Sequence, residues 1–239
     1  MVGYPNSSFT FTGTTVGKQT IRDRQGAGRN VTVPASSARR PSQPRGQARA
    51  NAILDATASL IAADGVAGLT MHSLARQART SIGSLYHFFP DRESVLDALG
   101  NIHRAGMQRI TRKLGFIADS EWREIPVAAV AERLSAPYAA YLRQHPDYFS
   151  LAKGRSFEED SAEFMHVMVR VLKARWPSMA DGERADYGLM TNLITAGVMH
   201  AGFQLAPERV ELLLREIPRV LTAYLEILER GLVPASATR

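Results

Sequence analysis

Leu69-Thr-Met-His-Ser-Leu-Ala-Arg-Gln-Ala-Arg-Thr-Ser-Ile-Gly-Ser-Leu-Tyr-His-Phe-Phe-Pro-Asp-Arg-Glu93 is the stretch whose reading decides the fold. Thr70 is placed to cap a helix whose apolar residues Met71, Leu74, Ala75 and Ala78 recur at helical spacing, so one face turns inward. Arg79 and Thr80 make a tight turn. Ser81 then caps a second helix in which Leu85 and Phe89, four residues apart, point to a core. Ile82, Gly83, Ser84, Tyr86 and His87 are left on or near the outer side. Small and polar side chains at a helix start permit close approach to a duplex, and the helix N-terminus itself favours phosphate. The candidate DNA contacts are therefore Thr70, Ser81, Ile82, Gly83, Ser84, Tyr86 and His87, with Arg92 adding a charge at the start of the next helix.

Working outward, the segment from about Arg49 to Leu96 resembles the DNA-binding domain of the tetracycline-repressor (TetR) family of bacterial regulators. The resemblance rests on an entry helix, Ala52-Ile-Leu-Asp-Ala-Thr-Ala-Ser-Leu-Ile-Ala-Ala-Asp-Gly65, on the Thr70 to Ala78 helix, and on Gly83-Ser-Leu-Tyr-His-Phe-Phe followed by Pro-Asp-Arg-Glu. Two positions depart from the family pattern. The turn carries Arg79 and Thr80 where Gly and an aliphatic residue are usual, and Ile82 stands where a basic or polar residue is commoner.

Charge is distributed unevenly. The 239-residue chain carries a formal net +6, and its first 50 residues hold Lys18, Arg22, Arg24, Arg29, Arg39, Arg40, Arg45 and Arg49 against Asp23 alone. That segment is thus +7, which leaves −1 for the rest. A basic arm ahead of a DNA reader can track phosphates or enter the minor groove, and Arg45 and Arg49 are its candidate contacts. Its abundant Gly, Ser, Thr and Pro equally fit a disordered leader with no contact at all. The absence of cysteine excludes disulfides, thiol catalysis and cysteine-ligated zinc, and suits a reducing cytoplasm. No apolar run is long enough to span a bilayer.

Past Pro90 the pattern is helical throughout. Asp91 caps a helix running through Val95, Leu99, Met107 and Ile110; a connection spans residues 115–124; Pro126 opens a helix to Gln144 with a kink expected at Pro137. His145-Pro146 breaks the chain before a short apolar turn at Tyr148, Phe149 and Leu151. Ser156 begins a capping box for a helix to Trp176, and two longer helices follow, about Asp181 to Gln204 and Pro207 to Arg230. No segment alternates with period two. The fold expected is all-α, with an N-terminal three-helix domain containing a helix-turn-helix and a larger C-terminal helical bundle. Its divisions are a basic arm at 1–46, the reader at 47–96, a ligand-binding and dimerisation domain at 97–232 and a tail at 233–239.

Leu189, Leu193, Gly197 and Ala201 share one stripe, and Leu214, Leu221 and Leu225 belong to another. Periodicity alone does not distinguish core from interface. The resemblance implies that these last two long helices pair with a second copy, giving a homodimer that presents two reading helices to a palindromic operator. It also implies an effector pocket among the middle helices. Tyr138, Tyr141, Phe164, Met168, Trp176, Met190, Asn192 and Ile194 offer it apolar walls with few polar handles, suited to a small hydrophobic molecule, although the same residues read equally as ordinary core. His103, His166 and His200 read as satisfied or exposed histidines, no metal-ligand spacing is present, and no cofactor is implied.

The function implied is a cytoplasmic, ligand-responsive transcriptional regulator, of repressing sign as is usual in the family. A TetR-like adaptor without specific DNA recognition is the second class. An enzyme is the third, with no GxSxG elbow, P-loop or GxGxxG to support it.

Overall fold

A computed structural model of the chain describes residues 44–152 and 158–232, so the greater part of the basic arm, the Ser156 capping box and the tail lie outside the described residues. Among the described residues the regular structure is helical, with no strand. Helix α1 (Pro44–Asp64) begins three residues before the expected reader boundary. It leads through a 3-10 turn (Val66–Gly68) into α2 (Met71–Gln77) and α3 (Ile82–Phe88). Ile53, Ile61, Leu74, Leu85 and Val95 are almost wholly removed from water and join these helices into one apolar cluster. Burial of a side chain such as Leu85 contributes about 1.5–3 kcal/mol.

The caps expected at the turn of each helix are formed. Thr70 Oγ1 accepts from Ser73 N–H at 3.0 Å, Ser81 Oγ from Ser84 N–H at 3.1 Å and Asp91 Oδ1 from Ser94 N–H at 2.7 Å. Between α2 and α3 the chain closes a Schellman motif: Thr80 N–H donates to the Ala75 carbonyl and Arg79 N–H to that of Arg76. That geometry requires a left-handed residue at its centre, and Arg79 occupies it at φ 50°. The unusual residue of the turn has therefore been accommodated by strain, without a change of turn.

Helix α4 (Arg92–Gly115) runs out of the reader and into the bundle, so the expected boundary at residue 96 falls inside a single helix. The connection after it is not irregular: Asp119–Glu124 forms a short helix, α5, because Trp122 is fully buried and anchors it to the core. Helix α6 (Val127–Gln144) carries Pro137 internally, and the apolar turn after His145 is the short helix α7 (Tyr148–Ala152). Helix α8 (Glu158–Arg175) packs on α4, α5 and α9 (Asp181–Asn192).

The helix predicted from Asp181 to Gln204 is interrupted. Leu193–Gly197 forms a π-helical turn, with Val198 N–H reaching the Leu193 carbonyl five residues back, before α10 (Val198–Leu205) resumes. Helix α11 (Val210–Leu232) then lies along α6 and α10. Among the described residues no helix is long and apolar enough to cross a membrane.

Candidate nucleic-acid interface and ligand cavity

Helix α3 presents the face that its sequence implies. Ser81, Ile82, Gly83, Tyr86 and His87 are exposed and Ser84 is half-buried, while Leu85 and Phe89 anchor the opposite side. A side chain added at Gly83 would meet nothing within 4 Å, so the start of the helix is open to an approaching partner. Thr70 is exposed at the head of α2, and Arg49 is exposed on α1. For Arg45 nothing is described beyond its place in α1. Arg76 and Arg79, both exposed beside this surface, were absent from the expected contacts. A basic residue in a turn carries no periodic signal that marks it as facing a duplex.

Arg92 corrects the expectation made for it. Its Nε donates to the Leu69 carbonyl at 3.0 Å and its Nη2 to that of Val66 at 2.6 Å, while Nη1 pairs with Glu93 at 3.1 Å. The guanidinium ties the start of α4 to the loop ahead of α2. It satisfies two backbone acceptors and so holds the reader together, in place of a free charge directed at phosphate.

In the bundle a cavity of about 620 Å³ lies among α4, α6, α7, α8, the π turn, α10 and α11. Tyr138, Phe164 and Asn192 of the expected ligand-contact residues line it. The others do not. Met168 and Trp176 are buried in the neighbouring core, Ile194 packs against that core, and Met190 is 44% exposed. Tyr141 points to His103. Helical spacing had placed Phe164 and Met168 on one face, but the cavity ends between them. The lining that was missed includes Met107 and Thr111 of α4, Tyr148 and Phe149 of α7, and Thr195, Ala196 and His200. These are scattered along the chain, and only packing gathers them.

Thr111 Oγ1 lies 2.7 Å from the Tyr138 hydroxyl and donates to the Met107 carbonyl or shares a proton with that tyrosine. His200, exposed, pairs with Gln204 at 2.9 Å; His166 is exposed; His103 is buried and fully bonded.

The expected interface stripes divide. Leu189 and Leu193 are 45% and 48% exposed, Ala201 is exposed and Gly197 half-buried. Leu214, Leu221 and Leu225 are instead core residues, and that expectation is corrected. An amphipathic helix at a bundle edge has its most regular apolar stripe facing inward. The outward face of α11 carries Leu212, Val220 and Ile227.

Comparison with known proteins agrees with this geometry. Residues 53–99 match the family model described as bacterial regulatory proteins, tetR family. The chain is 26% identical over 193 residues to the HTH-type transcriptional repressor DrrR1 of Streptomyces coeruleorubidus. That alignment covers 80% of this chain and 64% of that protein, so the chain spans less than two thirds of the relative's length. A TetR-family transcriptional regulator from Streptomyces coelicolor superposes with a TM-score of 0.51 at 26% identity, over 76% of this chain and 98% of that one. A structure of the SmeT–triclosan complex gives a TM-score of 0.51 at 19% identity, over 74% and 91% of the two chains. By its reader and its helical architecture the chain belongs to the tetR family of bacterial regulatory proteins.

Proposed function

We propose that the chain is a ligand-responsive transcriptional repressor, a homodimer that binds a palindromic operator through α3 and releases it when a small, largely apolar molecule fills the bundle cavity. The observation that carries this reading is the course of α4. Its capped N-terminus is bonded to the reader through Arg92, and one helix further along, Met107 and Thr111 stand in the cavity wall. A ligand that repositions these two residues acts directly on the element that holds the reader.

Resemblance to a named repressor, and to a fold that in SmeT accompanies triclosan, supports the same reading. The dimer is supported by the exposed apolar residues Leu189, Leu193, Val198, Leu212, Val220 and Ile227 on the last two long helices, a patch of the kind that marks association surfaces. The working division is an arm at 1–46, a reader at 47–96, a ligand and dimer domain at 97–232 and a tail at 233–239. As a DNA-binding regulator the protein acts in the cytoplasm and performs no catalysis.

Selection of bound sequences from random duplex DNA tests the proposal. Enrichment of a palindrome, bound by a dimer and weakened by a cavity ligand, is the expected result. Equal binding of all sequences would instead favour a helical adaptor.

A further inference from the structure

The wall of the cavity contains one unanswered hydrogen-bond acceptor. Asn192, at the end of α9, is 9% exposed and lines the cavity, and its Oδ1 is buried without a partner. The other polar groups around it are paired: Thr111 with Tyr138, Ser135 with the Ala131 carbonyl, and Thr195 with the carbonyls of Thr191 and Asn192. Among the described residues, Asn192 Oδ1 is the fully buried side-chain atom of this wall that has no partner. It also stands at the entrance to the π turn, an irregularity that recurs at functional sites in helices. A buried acceptor left alone costs more than one hydrogen bond returns, so a partner supplied from outside is strongly selected.

The charge of the wall narrows the partner further. No Lys, Arg, Asp or Glu contributes to it. An ionised ligand would lose its hydration here with no counter-charge to meet it.

We infer that the cavity takes a neutral, predominantly apolar molecule bearing a hydroxyl or N–H group that donates to Asn192 Oδ1, and that this one contact sets its selectivity. The inference rests on the reading of the cavity as an effector site, but concerns only what binds there. Carboxylates and other anions are excluded by the uncharged wall. Hydrocarbons fit the volume and leave Asn192 unanswered.

Three probes of nearly one shape separate these cases on the full-length protein: 4-phenylphenol, biphenyl and biphenyl-4-carboxylate, titrated by calorimetry. The phenol is expected to bind about tenfold more tightly than biphenyl, with the carboxylate weakest. Asn192→Leu should abolish the preference and leave biphenyl binding equal or tighter. Asn192→Ala, which cannot overpack the wall, should abolish it too. A preference that survives in both variants, equal binding of phenol and hydrocarbon, tight binding of the carboxylate, or failure of all three probes to bind overturns the inference. Operator affinity measured with 4-phenylphenol keeps the two proposals apart. Asn192-dependent binding without release of DNA would leave the ligand assignment standing and remove the effector reading.

Discussion

His103 Nε2 lies 2.8 Å from Asp147 Oδ2, and both side chains are at least 97% buried where α4 meets the start of α7. The other ring nitrogen, Nδ1, is 2.9 Å from the Tyr141 hydroxyl. With Asp147 ionised, the proton on Nε2 is donated to the carboxylate and the tyrosine donates to Nδ1; its partners thus assign the tautomer. Burial, and then the Asp147 charge, push the Tyr141 hydroxyl up to about 12, which keeps it a donor. Gly106 makes this approach possible, because a Cβ there would stand 2.5 Å from the Tyr141 oxygen. The cluster latches α4 to the bundle beside Tyr148, which lines the cavity.

Removing one partner of the latch leaves the other buried and unanswered. Asp147→Ala and His103→Leu are each expected to destabilise the fold by about 1–3 kcal/mol, with the double variant less damaged than the sum. Urea denaturation of the four proteins measures this. Additive losses would show that the two groups are not coupled.

His145 sets an acid sensitivity at the same place, among His103, Tyr141, Asp147 and Tyr148. Burial, and then His103, hold its pKa below the ordinary 6.5, while Asp147 opposes the shift. The unfolded chain therefore takes up this proton first as the pH falls below 6.5. Stability should decline as acidification proceeds from there through the lowered folded value, and this group should contribute nothing above 6.5. His145→Gln should flatten that part of the profile. A profile unchanged by the substitution would remove His145 as its source.

The strain at Arg79 predicts a stabilising substitution. Arg79→Gly relieves a left-handed residue in the Schellman turn and should raise stability by about 0.5–1 kcal/mol, after its larger chain entropy is counted. Thermal unfolding reads the change. Loss of DNA affinity in the more stable variant would mark the guanidinium as a phosphate contact.

Tyr86 and Arg92 should part company. Tyr86→Ala is expected to weaken binding to operator and random DNA in similar proportion with no loss of stability, whereas Arg92→Ala should lower the melting temperature first, since it unties Leu69 and Val66. Substitutions at Ile82, Gly83 or Ser84 should change base preference. Parallel melting curves and binding titrations distinguish these outcomes, and a Tyr86→Ala protein with intact affinity would exclude that residue from the interface.

On the last helix, neighbouring residues should behave oppositely. Val220→Glu, on the exposed face at 52%, should yield a folded monomer with weak operator affinity; Leu221→Glu, at 0%, should unfold. Sedimentation beside circular dichroism decides. A Val220→Glu protein that remains dimeric would move the interface elsewhere.

The reader was legible because its determinants are local. Caps at Thr70, Ser81 and Asp91 act within three residues, and the spacing of Leu74, Ala75, Leu85 and Phe89 shows which side turns inward. Even the departure at Arg79 was visible, although only the backbone revealed that it takes the left-handed conformation. The cavity was harder to read. Phe164 and Met168 are equivalent by spacing, yet one lines the cavity and the other is sealed in the core.

The sequence by itself determined the helices, the turn between α2 and α3, and the face that α3 shows, since each depends on interactions a few residues long. Tertiary structure alone decided that Arg92 ties two backbone carbonyls, that His103 meets Asp147 across 44 residues, and that Leu221 is core while Val220 is surface. An amphipathic pattern records that a side chain is apolar and which way it turns from its own axis. Which neighbour receives it, or whether a gap is left for a ligand, depends on how several helices pack at once, and no single stretch of chain contains that information.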